Sequence, residues 1–235
     1  NDGNSDLQPD WIWWKRRDTG YAHGLVDSSR GTGKYLRSDS SSAEGTDYTY
    51  ITSFDSDGFT IPSGDQSSNN SSGTYVAWQW KAGGGTTASN SVGDISSTVQ
   101  ANTTAGFSIV TYTGNGNANQ TIGHGLGAVP KMILFKNRSN TAYWYVYHVD
   151  TGNDTMTYLN LTNAAQSLSS QFSTPTTTTF NVSNENSTFN GYNSSSQTYV
   201  AYVFAEKQGY SKFGKYKGNG STDGPFIYTG FKPAF

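Results

Sequence analysis

The chain has 235 residues, a formal net charge of −2 from 15 basic and 17 acidic side chains, and no cysteine. The near-neutral balance excludes the electrostatic footprint of a nucleic-acid binder, and the missing thiols exclude a disulfide framework and a thiolate metal site. Only 33% of residues are hydrophobic while 14% are aromatic, so a few large rings must supply the buried area; the abundance of Gly, Ser, Thr and Asn predicts an all-β chain with almost no helix.

The polar start, Asn1 to Asp6, does not read as a signal peptide, and no stretch approaches the roughly 18 apolar residues of a membrane span. Trp11 to Lys15 predicts a strand apolar on both faces, Trp11 and Trp13 on one side and Ile12 and Trp14 on the other, and therefore a strand interior to its sheet. Lys15-Arg16-Arg17 is the one basic run and reads as a solvated strand end. Gly31-Thr32-Gly33-Lys34-Tyr35 imitates a phosphate loop, but Ser28 stands where the leading glycine belongs and Tyr35 where Ser or Thr would ligate magnesium. It reads instead as the start of a short strand.

Phe54 to Ile61 predicts a strand entered through a turn. Its Asp55-Ser56-Asp57-Gly58 opens like a calcium loop, yet Gln66 occupies the position of the bidentate glutamate and Thr60 that of the glycine. Asp55 and Asp57 are therefore weak metal candidates and are better read as turn residues. Ca2+ held by backbone carbonyls would leave no pattern, and no cofactor is expected. Val76, Trp78 and Trp80 alternate onto one face and are assigned to a sandwich core. Residues 82–105, opening with Gly83-Gly84-Gly85, read as a linker that contains a hairpin near Gly93-Asp94. Phe107 to Thr113 is the next strand, closed by Gly114-Asn115-Gly116.

From there the chain restates itself. Pro9 to Arg17 returns as Pro130 to Arg138, 121 residues later, and Thr74 to Trp80 returns as Thr198 to Phe204, 124 residues later. Phe54 to Ile61 is matched by Thr179-Phe180-Asn181-Val182. Gly106-Phe107-Ser108, leading to Tyr112 and Gly114-Asn115-Gly116, is echoed by Gly209-Tyr210-Ser211, leading to Tyr216 and Gly218-Asn219-Gly220. Self-similarity of this kind fixes the plan in which other motifs are read. Two tandem repeats are expected: residues 1–105, ending in the linker 82–105, and residues 106–235, with the strand and turn of 106–129 packing on either copy. Pro233-Ala234-Phe235 falls where a third Pro-led strand would start, so either a longer tandem array or a terminal strand that closes a sheet is expected.

Candidate chemistry is sparse. His23, His124 and His148 share no repeat position, no Gly-x-Ser-x-Gly elbow marks a nucleophile, and Asp27, Asp39, Glu44, Asp47 and Asp65 carry no supporting pattern for paired-carboxylate hydrolysis. The sequence thus reads as non-enzymatic. Asn-x-Ser/Thr sequons at Asn70, Asn102, Asn119 and Asn186 are what so Asn-, Ser- and Thr-rich a chain produces by chance. The most suggestive run is Tyr143-Trp144-Tyr145-Val146-Tyr147. On a strand, Tyr143, Tyr145 and Tyr147 share a face, where the first half has Ala22, Gly24 and Val26. Two readings follow: a platform on which sugar rings stack, or rings that fill space beside smaller neighbours or at an interface.

Trp78 to Gly85, Val99 to Gly116, Gly123-His124-Gly125-Leu126-Gly127 before Pro130, Tyr210 to Gly214, Gly218 to Phe226 and Tyr228 to Phe231 together resemble a repeat of virion proteins of marine bacteriophages. The resemblance covers nearly the whole chain and brings no catalytic motif. It implies an antiparallel β-sandwich of concanavalin A-like or jelly-roll type, in a tail fibre or capsid appendage on the outside of the particle. It further implies contacts with other virion proteins, homo-oligomerisation and a host-surface glycan as ligand, with neither nucleic acid nor membrane insertion. The extra Trp11, Trp13 and Trp14 and the tyrosine row depart from the pattern. A purely structural spacer and, third, a polysaccharide-degrading enzyme are the other readings.

Overall fold

The computed structural model describes residues 6–153, 155–167, 173–183 and 191–233. Among them no helix occurs, and every paired strand is antiparallel. The strands are β1 (Trp11–Arg16), β2 (Gly24–Asp27), β3 (Lys34–Leu36), β4 (Gly45–Thr46), β5 (Ser53–Asp55), β6 (Gly58–Thr60), β7 (Tyr75–Trp80), β8 (Ala88–Asn90) and β9 (Ser97–Asn102). They continue with β10 (Phe107–Thr113), β11 (Gln120–Gly123), β12 (Pro130–Asn137), β13 (Tyr145–His148), β14 (Thr155–Tyr158), β15 (Gln166–Ser167), β16 (Thr179–Val182) and β17 (Thr198–Ala205).

Two large sheets carry the architecture: five strands in the order β4-β3-β2-β1-β7, and eight in the order β15-β14-β13-β12-β17-β10-β9-β8. The sequence echo is therefore an echo of pairing. Trp11 faces Asp27 across β1 and β2, and Met132 faces His148 across β12 and β13; Leu25 with Leu36 becomes Val146 with Thr157, and Lys34 with Thr46 becomes Thr155 with Ser167. Trp11 with Trp80 likewise becomes Met132 with Phe204. A one-residue slip would turn every side chain to the opposite face, so keeping register has kept the same positions pointing at the same layers.

Those equivalent faces meet. Trp11, Leu25 and Leu36 of the first sheet close on Leu134, Val200, Tyr202 and Phe204 of the second, with Phe107 and Ile109 of β10 and Trp144 completing the cluster. Trp11 is fully buried at its centre, stacked on Tyr202 with ring centroids 4.2 Å apart and tilted against Trp80 at 4.4 Å. The outer faces are covered too. Ile12, Trp14 and Val26 pack under Tyr50, Ile51 and the β5–β6 hairpin, while Ile133, Phe135 and Val203 pack under Ile122 of β11 and Phe180 and Val182 of β16. β1 is thus interior and apolar on both faces, as its sequence predicts. The class is an antiparallel β-sandwich, stacked in four layers with the two large sheets in the middle.

Three expectations need correction. Residues 82–105 are no linker: β8 and β9 extend the second sheet beyond β10, because Ile95 and Val99 are buried in the outer core and Gln100 points into polar contacts between the sheets. Nor does the boundary fall between 105 and 106: residues 11–80 supply all five strands of the first sheet and residues 88–205 all eight of the second, and the two sheets form one sandwich where the sequence leaves one or two open. Trp78 is only partly buried, because β7 is the edge of its sheet; its partner Trp13 donates from Nε1 to His23 at 2.8 Å. Trp11 is the ring that truncation would expose as a cavity. Trp11→Ala should destabilise the fold by about 3–5 kcal/mol, the range for emptying a packed aromatic site, whereas Trp78→Ala should cost clearly less; equilibrium denaturant unfolding of both variants measures the difference.

Candidate functional site

The polar residues of interest fall at two seams and one cleft. The first seam joins the loop after β3 to the end of β12. Asp27 on β2 and Arg30 in the following turn are both fully buried and pair at 2.5 Å. Arg30 continues to Glu44 at 3.0 Å, and Glu44 is gripped at 2.8 and 3.1 Å by Arg138, just past β12. Tyr202 of β17 closes the ring, donating to Asp27 at 2.7 Å and accepting from Arg30 at 3.0 Å. Burial opposes the charge on Arg30, but Asp27, Tyr202 and Glu44 outweigh it and leave the guanidinium harder to deprotonate than usual. Burial likewise pushes Glu44 upward, and the Arg138 hydrogen bond with the charges of Arg30 and Arg138 brings it below the usual carboxylate range. Two acids and two guanidiniums neutralise one another, so this buried set resists separation of the sheets and offers no unpaired acid or base.

The second seam is built from what reads in sequence as a flexible glycine run. Asp10 is fully buried, and its carboxylate accepts the backbone N–H of Ala82 and Gly84 through Oδ2 and of Gly85 through Oδ1, at 2.7–2.8 Å, with Ser28 donating at 2.8 Å. Gly84 and Gly85 have φ of 65° and 80°, a conformation glycine takes at little cost. The resulting concavity of N–H groups is an anion nest whose occupant is the protein's own aspartate. Gln100 of β9 receives Gly83 and Gly85 and donates to Ser28 and Ser29, so this seam also spans the sheets.

Beside the first seam lies Lys136, fully buried, with its ammonium donating to the carbonyls of Ser41 at 3.0 Å and Ala142 at 2.7 Å. Among the described residues no carboxylate pairs with it, and burial brings its pKa down to about 8. The bonds from Trp144 Nε1 to Arg37 O at 2.8 Å and from Ala142 N to Ser41 O at 2.9 Å clamp the same loop.

The third feature is a cleft of about 140 Å³ on the outer side of the first sheet, lined by Trp14, Tyr21, His23, Tyr35, Arg37 and Tyr50 among others. Arg37 stacks 5.4 Å over Tyr35, and the buried indole N–H of Trp14 has no hydrogen-bond partner among the described residues. Gly24 makes room for this indole: a Cβ there would sit 2.0 Å from the Trp14 ring. No sequence pattern marks the cleft, because its walls come from β1, β2, β3 and four loops.

The sequence-predicted residues fare differently. Tyr145 and Tyr147 are 2% and 3% exposed, and Tyr143 is 42% exposed with its ring against Tyr158. The row therefore forms no stacking platform. Tyr145 occupies, opposite Phe135, the position that Gly24 holds opposite Trp14, so two rings stand where the first sheet has a ring and a glycine. Tyr145 and Tyr147 join the outer core with Phe135, Phe180 and Tyr192, and burial drives their hydroxyls above the ordinary phenol range. Asp55 and Asp57 flank the tip of the β5–β6 hairpin, where Asp55 accepts from Thr60 at 2.7 Å. Among the described residues no three His, Cys, Asp or Glu side chains gather as metal ligands.

Fold and seams together define an all-antiparallel β-sandwich whose buried charges are spent on joining its two sheets. The chain belongs to the family described as Domain of unknown function (DUF7483), whose model matches residues 3–235. Comparison with curated proteins and with solved structures gives no match.

Lys136 sets a pH signature. Between about pH 8 and 10.5 the unfolded chain keeps a proton on this lysine that the folded chain has released, so stability rises with pH across that window. Buried tyrosines act in the opposite sense: Tyr112 and Tyr202 are held well above 10 by burial, so above pH 10 the unfolded chain loses protons first and stability falls. Thermal unfolding followed from pH 7 to 11 should show a maximum near pH 10. Lys136→Met should flatten the rising limb, worth on the order of 3 kcal/mol at about 1.4 kcal/mol per pKa unit, and keep the alkaline fall.

Proposed function

We propose that this chain is a non-enzymatic structural module at the surface of a virion, part of a tail fibre or capsid appendage, holding against other virion proteins and further copies of itself. The observation that carries the reading is where the chemistry has gone. Asp27 and Glu44 are neutralised by Arg30 and Arg138, and Asp10 is saturated by backbone N–H groups. Each histidine takes a local bond as well: His23 Nδ1 from Trp13, His124 Nδ1 from the N–H of Leu126 and His148 Nδ1 from the N–H of Asp150. Such a molecule spends its reactive groups on rigidity. The sequence resemblance to bacteriophage virion repeats supplies the setting. Antibodies raised against the folded chain should label the outside of intact particles that encode it, and polysaccharides incubated with it should keep their length. Unlabelled particles would remove the virion assignment, and shortened polysaccharide would establish an enzyme.

A second reading, attachment to a host glycan, loses the tyrosine row and gains the cleft. Flat aromatic walls and a stacked guanidinium suit one sugar ring. If the cleft is the ligand site, Arg37→Ala should abolish any glycan-array signal of the full chain while leaving its melting temperature within a few degrees. A blank array for the parent protein rules the reading out.

A further inference from the structure

We infer that residues 210–217 of one copy add as an antiparallel strand to the open edge of β7 in a second copy, head to tail. The inference uses strand geometry alone and stands independently of the virion assignment.

The two sheets differ at one place. β17 is flanked by β10, whereas its counterpart β7 is the last strand of its sheet among the described residues. The carbonyls of Thr74 and Trp80 point toward β1, accepting from Arg17 and Asp10. Strand alternation therefore turns the N–H and C=O groups of Tyr75, Ala77 and Gln79 outward to the open edge. These positions correspond to Tyr199, Ala201 and Val203 of β17, which face Tyr112, Val110 and Ser108 of β10. An unpaired row of this kind is a template for another strand.

The chain also carries a second version of β10. Residues 209–220 reproduce its framing turns: Gly106 and Gly209 have φ of 71° and 75°, Gly116 and Gly220 have 78° and 66°, and the side chains of Asn115 and Asn219 each accept the N–H two residues on, at 3.0 Å. Exposure is what differs. Phe107, Tyr112 and Ile122 are 2%, 5% and 0% exposed; Tyr210, Tyr216 and Phe226, in corresponding places, are 63%, 70% and 88% exposed. An aromatic segment with the turns of a core strand, and no sheet under it, fits the one sheet edge that lacks such a strand.

Pairing in the β10 register puts Ser211 opposite Gln79 and Tyr216 opposite Tyr75, with the extra residue of the tail forming a bulge near Phe213-Gly214. In the isolated chain Ser211 exchanges both backbone hydrogen bonds with Lys207, at 2.8 and 3.0 Å, a single bridge that has to open for Ser211 to pair with Gln79; beyond it Phe213 rests near Phe204 and His148, and Lys212 meets Glu206 at 2.8 Å on the surface. A tail-to-edge contact leaves a tail and an edge open at the two ends, so it propagates into open chains and does not close as a dimer.

Because the protein has no cysteine, introduced thiols report without background. Full-length Gln79→Cys and Ser211→Cys are mixed under mild oxidation and compared with Gln79→Cys mixed with Thr104→Cys, an exposed control. The first mixture should give at least about tenfold more disulfide-linked heterodimer, paired Cα atoms of a sheet lying within disulfide range. The double variant Gln79→Cys/Ser211→Cys should give a ladder of multimers. Adding Tyr210→Glu and Tyr216→Glu, both at exposed rings, should erase the product without moving the unfolding midpoint. Cross-linking no better than the Thr104→Cys control, or undiminished by the two glutamates, overturns the proposal.

Discussion

The contact between the two large sheets at Trp11 is the constraint on which the rest depends. Its indole lies between Tyr202 and Trp80 and reaches Phe107 at 5.8 Å, so one side chain touches strands from both sheets. A sheet with one apolar face must bury it against another layer. Here each sheet is apolar on both faces, and the only arrangement that covers all four is a stack with small layers outside and the repeat-equivalent faces together. Ring area substitutes for aliphatic bulk throughout, which is how a chain with 33% hydrophobic residues closes two interfaces.

Polar burial follows from that stacking. Once the sheets are face to face, β2, β12 and the segments beside β1 and β3 bring charges out of water, and the carboxylates persist because each is matched: Asp27 by Arg30, Glu44 by two guanidiniums, Asp10 by a ring of N–H groups. Lys136 is the exception, compensated by carbonyls without a carboxylate, and is correspondingly the group whose protonation the fold perturbs. These seams make the halves interdependent. Without the second sheet, Glu44 loses Arg138 and Asp27 loses Tyr202, and neither sheet covers its inner face without the other.

A molecule organised in this way is suited to bearing and presenting surface. Its buried carboxylates and its histidines are engaged internally, its exposed segments are rich in Ser, Thr and Asn, and its unspent apolar area is concentrated in the tail. The same economy decides between the two readings of the tyrosine row. Tyr145 and Tyr147 are part of the outer core, and a ring required for packing is withdrawn from ligands.

Much was legible in the residues by themselves. Composition set the all-β class; alternation at Trp11 to Trp14 marked a strand covered on both sides; and displacements of 121 and 124 residues foretold pairs that the sheets reproduce in register. Those features are local or periodic, so chain order carries them. What only the tertiary structure decided was which layer faces which: that Ser97 to Asn102 is a sheet strand despite its linker-like composition, that Gly83 to Gly85 wraps Asp10, that Tyr145 and Tyr147 lie inside, and that Tyr21, Tyr35 and Arg37 meet at one cleft. The physical reason is that burial belongs to a residue's opposite neighbour as much as to the residue, and that neighbour is named by the folded topology.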